Sequence, residues 1–363
     1  MRKLPVIAVS GLHRGDNPQP GSAVIRSIRR LYPSATIVGL SYDPLESGLY
    51  SADLAVVDAS FSMQFPGVGA KALIDRLDEI RQTYPIGIII PCLDAEIPNY
   101  FVLSQQLWRR KIRTMLPTAQ SFERRSKDRL AQLGLDAGVA VPRTIVAPDL
   151  AAVYRAGDLL GYPLFLKGRL YEARKVSSPA EVAGAFQSLI SVWGGPVMVQ
   201  EPVAGEEYDV AGVGDGHGDI IGSCAIRKMM LTNSGKANAG IVVTDPGLRA
   251  QVARIIKVLQ WNGPFELEFI RGGFGYALIE MNPRFPAWID FPSQIGCNLP
   301  ARLIELAEAR PTSALKACEA GRMFVRHSVD LVGDISELAE LSVTGTRASN
   351  SAATASDKLG ARG

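Results

Sequence analysis

Two short apolar segments, FELEFI and YALIEMNPRF, carry the polar side chains with the clearest chemical pattern. Alternate side chains of a β-strand point to the same face. Glu266 and Glu268 therefore share a face of the first strand, and Glu280 and Asn282 share a face of the second. The connecting residues RGGFG are typical of a hairpin turn. A turn centred on Phe274 pairs Glu268 with Glu280, and the same register pairs Glu266 with Asn282.

Facing carboxylates repel each other unless a cation lies between them. Two carboxylates and an amide oxygen suit Mg²⁺, a hard ion that commonly binds through one or two carboxylates and substrate phosphates. We therefore predict that Glu268, Glu280 and Asn282 bind Mg²⁺, with Mn²⁺ as an alternative ion. A solvated acidic strand face is the competing interpretation, but it does not explain why the segment continues into Asn-Pro-Arg.

Two lysines upstream are candidates for contact with a polyphosphate. Ser126 is suited to cap a helix that begins near Lys127, where the helix dipole favours anions. Lys167 ends the apolar strand YPLFLK. A lone lysine at a strand end is usually a solvated edge residue, so the prediction depends on the metal site downstream.

The segment QEPVAGEEYDV, residues 200–210, is predicted to form a strand, a connector and a second strand. Backbone groups of an extended connector can pair with an adenine edge, and a nearby carboxylate can accept both hydroxyls of a ribose. Taken alone, the segment is better explained as an ordinary link with surface glutamates.

Basic and aromatic residues flank the hairpin. Arg227 and Lys228 in IRKMM, and Lys236 in NSGKANAG, are candidates to hold a substrate carboxylate or a terminal phosphate, and surface basic residues are an equal alternative. Trp288 and Phe291 in FPAWIDFP suit either an apolar acceptor pocket or core packing, and core packing is favoured slightly.

The first 118 residues or so alternate apolar runs with helical periods, which indicates a parallel sheet covered by helices. The runs include Leu54–Val57 and Ile86–Ile90. Such sheets bind ligands beyond the carboxyl ends of their strands, where Asp94 and Glu96 follow Ile90; charges at a helix N-terminus explain this pair equally well. The loop after the first strand lacks a GxGxxG fingerprint, so a dehydrogenase is disfavoured.

The composition of the chain excludes several classes of fold and function. The chain has 363 residues, a hydrophobic share of 47% and a net charge of +3, which indicates two or three soluble domains and gives no sign of a nucleic-acid surface. The longest apolar runs are too short to cross a membrane. The four cysteines form no CxxC pair and the three histidines are scattered, so neither a disulfide framework nor a zinc site is predicted. A cytoplasmic location is the default.

Taken in order, these segments resemble the ATP-grasp enzymes, in the branch that includes carbamoyl-phosphate synthetase large-chain domains, biotin carboxylase and L-amino acid ligases. The resemblance covers roughly residues 5–310 and rests on SKDRL, YPLFLKG, VQEPVAGEEYDV, ELEF and IEMNPR. It implies an α/β and α+β chain. The implied domains are a Rossmann-like pre-grasp domain (1–118), a small lobe (119–196), a large lobe (197–340) and a disordered tail (341–363).

The resemblance also implies roles for individual residues. Those implied for the nucleotide are Lys127 and Lys167 on the α- and β-phosphates, the Glu201 carbonyl and Val203 amide on adenine, and Glu207 on the ribose. Glu268, Glu280 and Asn282 would bind Mg²⁺, and Arg284 would reach the γ-phosphate or the acyl phosphate. Beside these, the candidates taken from the residues themselves are Lys236 for nucleotide binding and Lys228 and Arg227 for catalysis.

The implied activity is that of an ADP-forming ligase. A small carboxylate, such as an amino acid or peptide, would take a phosphoryl group from ATP, and an amine would displace phosphate from the acyl phosphate. The alternatives are phosphorylation of bicarbonate or carbamate, or a nucleotide-binding partner protein without turnover. A homodimer is an open option, and neither a nucleic acid nor a membrane is an expected partner.

One departure from the family pattern concerns the segment after Lys167. The family usually has a glycine-rich phosphate loop there, whereas GRLYEARKVSS contains only Gly168. We therefore predict that Arg169, Arg174 or Lys175 covers the phosphates as a charged lid.

Overall fold

The computed structural model describes residues 4–15, 17–168, 172–233, 235–273, 275–310, 315 and 317–348. Its N-terminal part alternates strands and helices, as the apolar runs predict. Long crossovers allow these strands to pair in parallel. The elements are β1 (Val6–Ser10), α1 (Gly21–Leu31), β2 (Ile37–Ser41), β3 (Ala59–Ser62), α2 (Ala70–Arg81), β4 (Ile86–Ile90), α3 (Ile97–Val102) and α4 (Ser104–Arg109).

The first sheet contains these four parallel strands in the order β3-β2-β1-β4. This is the order of the first strands of the doubly wound nucleotide-binding fold. The predicted strand at Leu54–Val57 is wrong. Asp53 accepts hydrogen bonds from the Ala55 amide at its side chain and from the Val56 amide at its carbonyl, so the run begins in a turn and the strand starts later, at Ala59.

The second sheet is antiparallel and has the order β5-β8-β6-β7. Helices α7 and α8 pack their apolar side chains on it. The Asp149 side chain caps α7 by accepting a hydrogen bond from the Ala152 amide. The elements of this part are α5 (Ala119–Arg124), α6 (Leu130–Ala137), β5 (Thr144–Ala147), α7 (Leu150–Leu160), β6 (Leu164–Lys167), β7 (Ala173–Val176), α8 (Pro179–Trp193) and β8 (Val197–Gln200).

The third sheet has six strands in the order β13-β12-β9-β10-β11-β14, all antiparallel. Its elements are β9 (Glu206–Asp215), β10 (Ile220–Leu231), β11 (Ala237–Val242), α9 (Pro246–Leu259), β12 (Asn262–Gly272), β13 (Gly275–Asn282), α10 (Asp290–Gln294), α11 (Leu299–Ala307) and β14 (Met323–Val325). Gly263, at a φ of 90°, lies so close to the Met115 carbonyl that a Cβ would come within 2.0 Å of it. Glycine at this position therefore lets β12 approach the end of the N-terminal part.

Helices α5 and α6 pack against α9, and α6 also shares a core with the third sheet. The Ser121 hydroxyl donates to the Leu259 carbonyl at 2.7 Å, and Leu130 and Leu133 share a core with Leu248 and Ile255. Because the helix begins at Leu130 rather than near Lys127, Lys127 lies in the turn between α5 and α6.

The segment assigned to a disordered tail is ordered at its start. Helix α12 (Ile335–Thr344) leads into β15 (Thr346–Ala348), which pairs antiparallel with β3 at the edge of the first sheet. The prediction is therefore wrong for residues 341–348. Arg76 holds β15 beside β3 by donating hydrogen bonds to the Ser62 carbonyl at 3.1 Å and to the Gly345 carbonyl. Residues 349–363 lie outside the described part of the chain.

Candidate functional site

The hairpin β12–β13 has the predicted register where it carries the polar residues. Glu268 pairs with Glu280, and Glu266 pairs with Asn282. The turn is nevertheless tighter than predicted, since Gly272 pairs with Gly275. A bulge between Glu268 and Phe269 shifts the register back by one residue before the polar pairs. Phe274, the predicted centre of the turn, lies outside the described residues.

An inner cluster, consisting of Asp209, Lys228, Glu266 and Glu268, lies on strands β9, β10 and β12. The Lys228 Nζ lies 2.8 Å from Glu268 Oε2 and 3.1 Å from Asp209 Oδ1. It also lies 3.2 Å from Glu207 Oε2. Because only 2% of the Lys228 side chain is exposed, this ammonium group is surrounded by carboxylates and is not available to a substrate.

The charges of the inner cluster shift one another's pKa values. Burial lowers the pKa of Lys228, but Asp209 and Glu268 outweigh burial and the net shift is upward. Burial raises the pKa of Glu268, but Lys228 and Lys236 outweigh it and the net shift is downward. Burial raises the pKa of Asp209. Lys228 and Glu268 therefore form a charged pair inside the protein.

Arg284 links the inner cluster to the first sheet. Its Nη1 donates to Glu266 Oε2 at 2.8 Å and to the Phe285 carbonyl at 3.0 Å. Its Nε lies 3.2 Å from Asp94 Oδ1. Asp94 belongs to the loop after β4, so the carboxyl end of the parallel sheet reaches the third sheet here.

Of the two acidic residues in that loop, only Asp94 faces the site. Glu96 is fully buried and accepts hydrogen bonds from Tyr42 Oη at 2.7 Å and from the Cys92 and Leu93 amides. Glu96 therefore holds the ends of β1 and β4 together. Asp94 thus has the ligand-facing position that the sequence suggested, whereas Glu96 lies at a helix N-terminus, which was the other interpretation.

An outer group, consisting of Lys127, Lys167, Lys236 and Glu280, surrounds the inner cluster with longer contacts. The Lys127 Nζ lies 3.4 Å from Glu280 Oε1, and the Lys236 Nζ lies 3.6 Å from Glu268 Oε1. Lys167 reaches the same place from the second sheet, since the charges that act on it include those of Glu280, Lys127 and Glu268. The structure thus brings the predicted lysines and carboxylates together from separate parts of the chain.

Lys167 and Lys236 are both partly buried, but the charges around Lys167 offset its burial less completely. Burial lowers the pKa of Lys167 by more than Glu280 raises it. For Lys236, burial also lowers the pKa, but Glu268 and Glu266 outweigh it and the net shift is upward. A bound anion would compensate for the burial of the Lys167 ammonium.

Among the described residues, one group of three metal-ligating side chains has its ligand atoms within 4.8 Å of one another, namely Asp209, Glu266 and Glu268. Two of the predicted ligands, Glu280 and Asn282, are outside this group. The oxygens of the group already bind protein cations and the Asn282 amide, which donates to Glu266 at 2.9 Å and to Glu268 at 3.3 Å. Glu280 has a looser contact, so the Glu268–Glu280 side of the hairpin fits an added cation better.

The connector between β8 and β9 carries the residues assigned to adenine and ribose. The Glu201 amide donates to the Arg143 carbonyl at 3.1 Å, and the Glu201 carboxylate accepts from Arg143 Nε at 2.7 Å. Val203 follows on the same connector. Glu207 lies at the start of β9, and its contact with Lys228 joins the connector to the inner cluster.

Two predicted catalytic residues need correction. Arg227 lies next to Lys228 on β10, and its exposed side chain pairs with Glu206 instead of joining the cluster. Lys228 does reach the cluster, but its enclosure makes it a positioning residue and not a substrate contact. Strand alternation sends adjacent side chains to opposite faces, which explains why only one of the two enters the cluster.

Three functional candidates were missed by the sequence interpretation. Asp209 contributes a buried carboxylate to the inner cluster, Arg125 Nη1 lies 3.5 Å from Asp94 Oδ2, and Arg326 lines a small cavity with Arg284 and Lys236. Within the described part of the chain, Arg326 Nη1 has no hydrogen-bond partner. The sequence offered a signal only for Asp209, which follows Glu207 by one strand period.

Trp288 and Phe291 pack in the core, the interpretation that the sequence slightly favoured, and Trp288 also lines the small cavity of Arg284, Lys236 and Arg326. They are 4% and 9% exposed, and Phe291 packs against Phe324. Trp288 also donates its indole N–H to Asp209 Oδ2 at 3.3 Å. This hydrogen bond helps to fix the position of the Asp209 carboxylate in the inner cluster.

Strands β6 and β7, on either side of the segment after Lys167, pair antiparallel, with Lys167 opposite Ala173. The Gly168 amide donates to the Glu172 carbonyl at 3.1 Å. Arg174 and Lys175 lie exposed on β7, and Arg174 Nε donates to Glu172 Oε1 at 2.8 Å. Arg169 lies outside the described residues, and the lid remains a prediction.

The fold is similar to that of several solved structures. Biotin carboxylase from Campylobacter jejuni, in complex with β,γ-ATP, matches with a TM-score of 0.67 and 17% identity, over 87% of this chain and 74% of that one. The biotin carboxylase domain dimer of 2-oxoglutarate carboxylase from Hydrogenobacter thermophilus, with MgADP, ADP and bicarbonate, matches with a TM-score of 0.68 and 16% identity, over 89% and 74%. L-amino acid ligase from Bacillus licheniformis matches with a TM-score of 0.64 and 12% identity, over 89% and 79%.

These are ATP-grasp enzymes, so the chain has the ATP-grasp fold and the resemblance seen in its sequence is confirmed. No family model matches the sequence, and no curated protein matches it. Among the described residues, no helix is long and apolar enough to span a membrane.

Proposed function

We propose that the protein is an ATP-dependent carboxylate–amine ligase that releases ADP and phosphate. The observation that carries this proposal is the convergence of Lys127 and Lys167, from a turn and from the second sheet, on Glu280 of the third sheet. Two partly buried lysines beside facing carboxylates suit a triphosphate with its divalent cation. The fold, which is that of known ATP-grasp ligases, supports the same conclusion.

In this proposal the nucleotide lies between the second and third sheets. Lys127 and Lys167 contact the α- and β-phosphates, and Lys236 contacts the terminal phosphate. The Glu201 carbonyl and the Val203 amide bind adenine, while Glu207 binds the ribose. We further assign residues 1–118 to a Rossmann-like pre-grasp domain, residues 119–196 and 197–340 to the two lobes, and a cytoplasmic location to the protein.

Mg²⁺ fits the Glu268–Glu280 side of the hairpin, with Asn282 as a third ligand. The ion would neutralise phosphate charge during transfer. Lys228 keeps Glu268 ionised and fixed in place, and the Asn282 side-chain amide bridges Glu266 and Glu268. Arg284, held by Glu266 and Asp94, points its guanidinium toward the small cavity that Lys236 and Arg326 also line. These cations would stabilise the carboxylate and the acyl phosphate.

The cavity beside Arg284 favours a second candidate function. Its volume of about 20 Å³ is enough for one or two water-sized groups, so it admits a small anion more readily than an amino acid. Phosphorylation of bicarbonate therefore remains the alternative. The two candidates differ in whether bicarbonate or an organic carboxylate is required for phosphate release.

The test is an assay of the full chain with MgATP that measures ADP, phosphate, AMP and pyrophosphate. The carboxylate and amine are varied in buffer with and without bicarbonate. The proposal expects ADP and phosphate only when both an organic carboxylate and an amine are present. Release that needs bicarbonate alone supports the alternative, and formation of pyrophosphate contradicts both.

A matched pair of variants tests the lysine assignment. Lys167→Met should weaken MgADP binding by at least about 10-fold, since it removes a charge-assisted phosphate contact. Lys71→Met, which removes an exposed lysine paired with Asp75, should leave binding unchanged. Tight MgADP binding without any turnover would instead indicate a nucleotide-binding partner protein.

A further inference from the structure

Three of the four cysteines meet at one cavity outside the candidate functional site. Cys224 lies in β10, Cys297 lies just before α11, and Cys318 lies between α11 and β14. All three are buried free thiols, and all three line a cavity of about 390 Å³. Cys92, the fourth cysteine, is buried at the end of the first sheet.

This cavity opens to the protein surface. Its lining includes exposed residues at the start of α9, among them Pro246 and Arg249. Cys318 itself lies between Ala317 and Glu319, both of which are exposed. A small solute can therefore reach the cavity from the side on which Cys318 lies.

The three sulfur atoms are chemically unequal. Hydrogen bonds from the Cys224 and Cys297 thiols lower the pKa of Cys318 to about 4, against the opposing effect of burial. The pKa values of Cys224 and Cys297 are raised, first by the same hydrogen bonds and then by burial. One thiolate thus has two protonated thiols beside it, which is the arrangement of a reactive cysteine with resolving partners.

Cys297 also lies close to the strand that carries Cys224. Its Sγ is 3.9 Å from the carbonyl oxygen of Ser223. Cys297 precedes α11 in a loop, whereas Cys224 is paired within β10.

We propose that Cys318 is a site of reversible oxidation, at which a small peroxide enters the cavity and a disulfide then forms with Cys297 or Cys224. In the first step the Cys318 thiolate attacks hydrogen peroxide, the O–O bond breaks, and a sulfenic acid and hydroxide form. In the second step the neighbouring thiol attacks the Cys318 sulfur. The S–O bond breaks, water leaves, and the S–S bond forms. A thiol reductant reverses the change.

A disulfide suits these thiols better than a metal ion does. Binding by three thiolates requires all three sulfurs at about 2.3 Å from one zinc ion. Among the residues that the structure describes, the group of three ligating side chains within 4.8 Å of one another is the carboxylate group, not the cysteine group. A disulfide needs only one of the two neighbours to approach Cys318.

The experiment treats the folded full chain with hydrogen peroxide, blocks the remaining thiols with N-ethylmaleimide after unfolding, and maps peptides by mass spectrometry. The expected result is one disulfide that contains Cys318 and disappears with dithiothreitol. Cys318→Ser should form no disulfide, whereas Cys92→Ser, the matched control, should oxidise like the parent protein. Oxidation that leaves Cys318 unmodified, or an unchanged disulfide in Cys318→Ser, overturns the proposal.

A second measurement does not depend on the folding of Cys318→Ser. In the Cys224→Ser/Cys297→Ser double variant, oxidation should stop at the sulfenic acid, which dimedone traps on Cys318. In the parent protein, dimedone should label Cys318 only during the first moments of oxidation. Labelling at Cys92 instead would contradict the assignment.

Discussion

The inner cluster and the outer group contain the same kinds of residues but differ in how their charges are satisfied. In the inner cluster, Lys228 and Glu268 lie 2.8 Å apart, and Arg284, beside the cluster, lies 2.8 Å from Glu266. In the outer group, Lys127 lies 3.4 Å from Glu280 and Lys236 lies 3.6 Å from Glu268. The side chains of Lys228, Asp209 and Glu266 are at most 3% exposed, whereas Glu268 is 15%, Lys127 is 14% and Glu280 is 27% exposed.

This difference separates support from binding. A buried charge is tolerated only when partners of opposite charge and hydrogen bonds surround it. Lys228 and Glu266 have those partners within the protein, so they hold the site in place. The Lys127–Glu280 and Lys236–Glu268 contacts are longer, so phosphates and a cation can take part in balancing these charges.

The largest expected effect tests the supporting role of the inner cluster. Lys228→Met removes the cation between three carboxylates and should lower the free energy of unfolding by about 3–5 kcal/mol, because unpaired charges remain buried. Urea unfolding at neutral pH measures this loss. Arg227→Met, one position away and exposed, should change stability by at most about 0.5 kcal/mol. Equal losses in the two variants would show that the inner cluster is not a supporting structure.

The next effect concerns the outer group. Glu280→Gln removes the charge of a proposed metal ligand and should weaken MgATP binding by about 100-fold. Binding of ATP without metal should change little, and stability should stay within about 0.5 kcal/mol of the parent protein. Calorimetric titration with and without Mg²⁺ compares the two. Glu206→Gln serves as the exposed control. If Glu280→Gln weakened the binding of MgATP and of metal-free ATP equally, Glu280 would not be a metal ligand.

A third prediction concerns a buried carboxylate whose pKa, unlike that of Glu268, is not lowered by neighbouring lysines. Glu46, in the N-terminal part, is 2% exposed, and burial raises its pKa to about 7. Its folded pKa lies above its unfolded value. The folded state therefore holds the proton longer, and stability falls as the pH rises from the unfolded pKa toward 7.

Glu46→Gln should abolish this loss of stability at higher pH, because glutamine carries no titratable proton. Relative to the parent protein, the variant should gain about 2–3 kcal/mol between pH 5 and pH 8. Urea unfolding at both values measures the difference. A constant difference between variant and parent at the two pH values would mean that Glu46 is stably charged in the folded protein, like Glu268.

The smallest effect concerns the predicted charged lid. Arg174→Ala or Lys175→Ala should raise the KM for ATP by roughly 5-fold if either side chain closes over the phosphates, since one charged contact is worth about 1 kcal/mol. Arg155→Ala, on the exposed face of α7, should leave the KM unchanged. Unchanged KM values for both variants and for Arg169→Ala would limit the binding role to the lysines.

The β12–β13 hairpin shows which structural features a local sequence pattern can predict. Its strands, its alternation and the Glu268–Glu280 pair could be predicted because β-strand periodicity and a glycine-rich turn are encoded within about 20 residues. The bulge at Glu268 could not be predicted, because a bulge depends on packing against β9 as well as on the turn. The predicted register was right at the polar pairs, although the strands pair around a point half a residue before Phe274 at the turn.

Errors arose where a segment's partner lies far away in the sequence. Residues 346–348 carry no strong strand signal and form β15 only because the edge of β3 is available to them. Lys127 was assigned to a helix of the small lobe, but contacts from α5 and α6 to α9 place it beside Glu280. Arg227 and Lys228 looked equivalent as neighbours, and only the sheet's two faces distinguish them.

The sequence by itself determined the alternating N-terminal part, the ATP-grasp motifs and the set of side chains that converge, since each depends on residue types and short spacings. The tertiary structure decided which of these side chains are enclosed and which stay accessible. That distinction depends on the distances between β9, β10 and β12 and on the loop that delivers Asp94. Burial and charge balance are properties of a three-dimensional neighbourhood, so Lys228 became a support and Lys167 remained open to a phosphate for reasons that no local pattern contains.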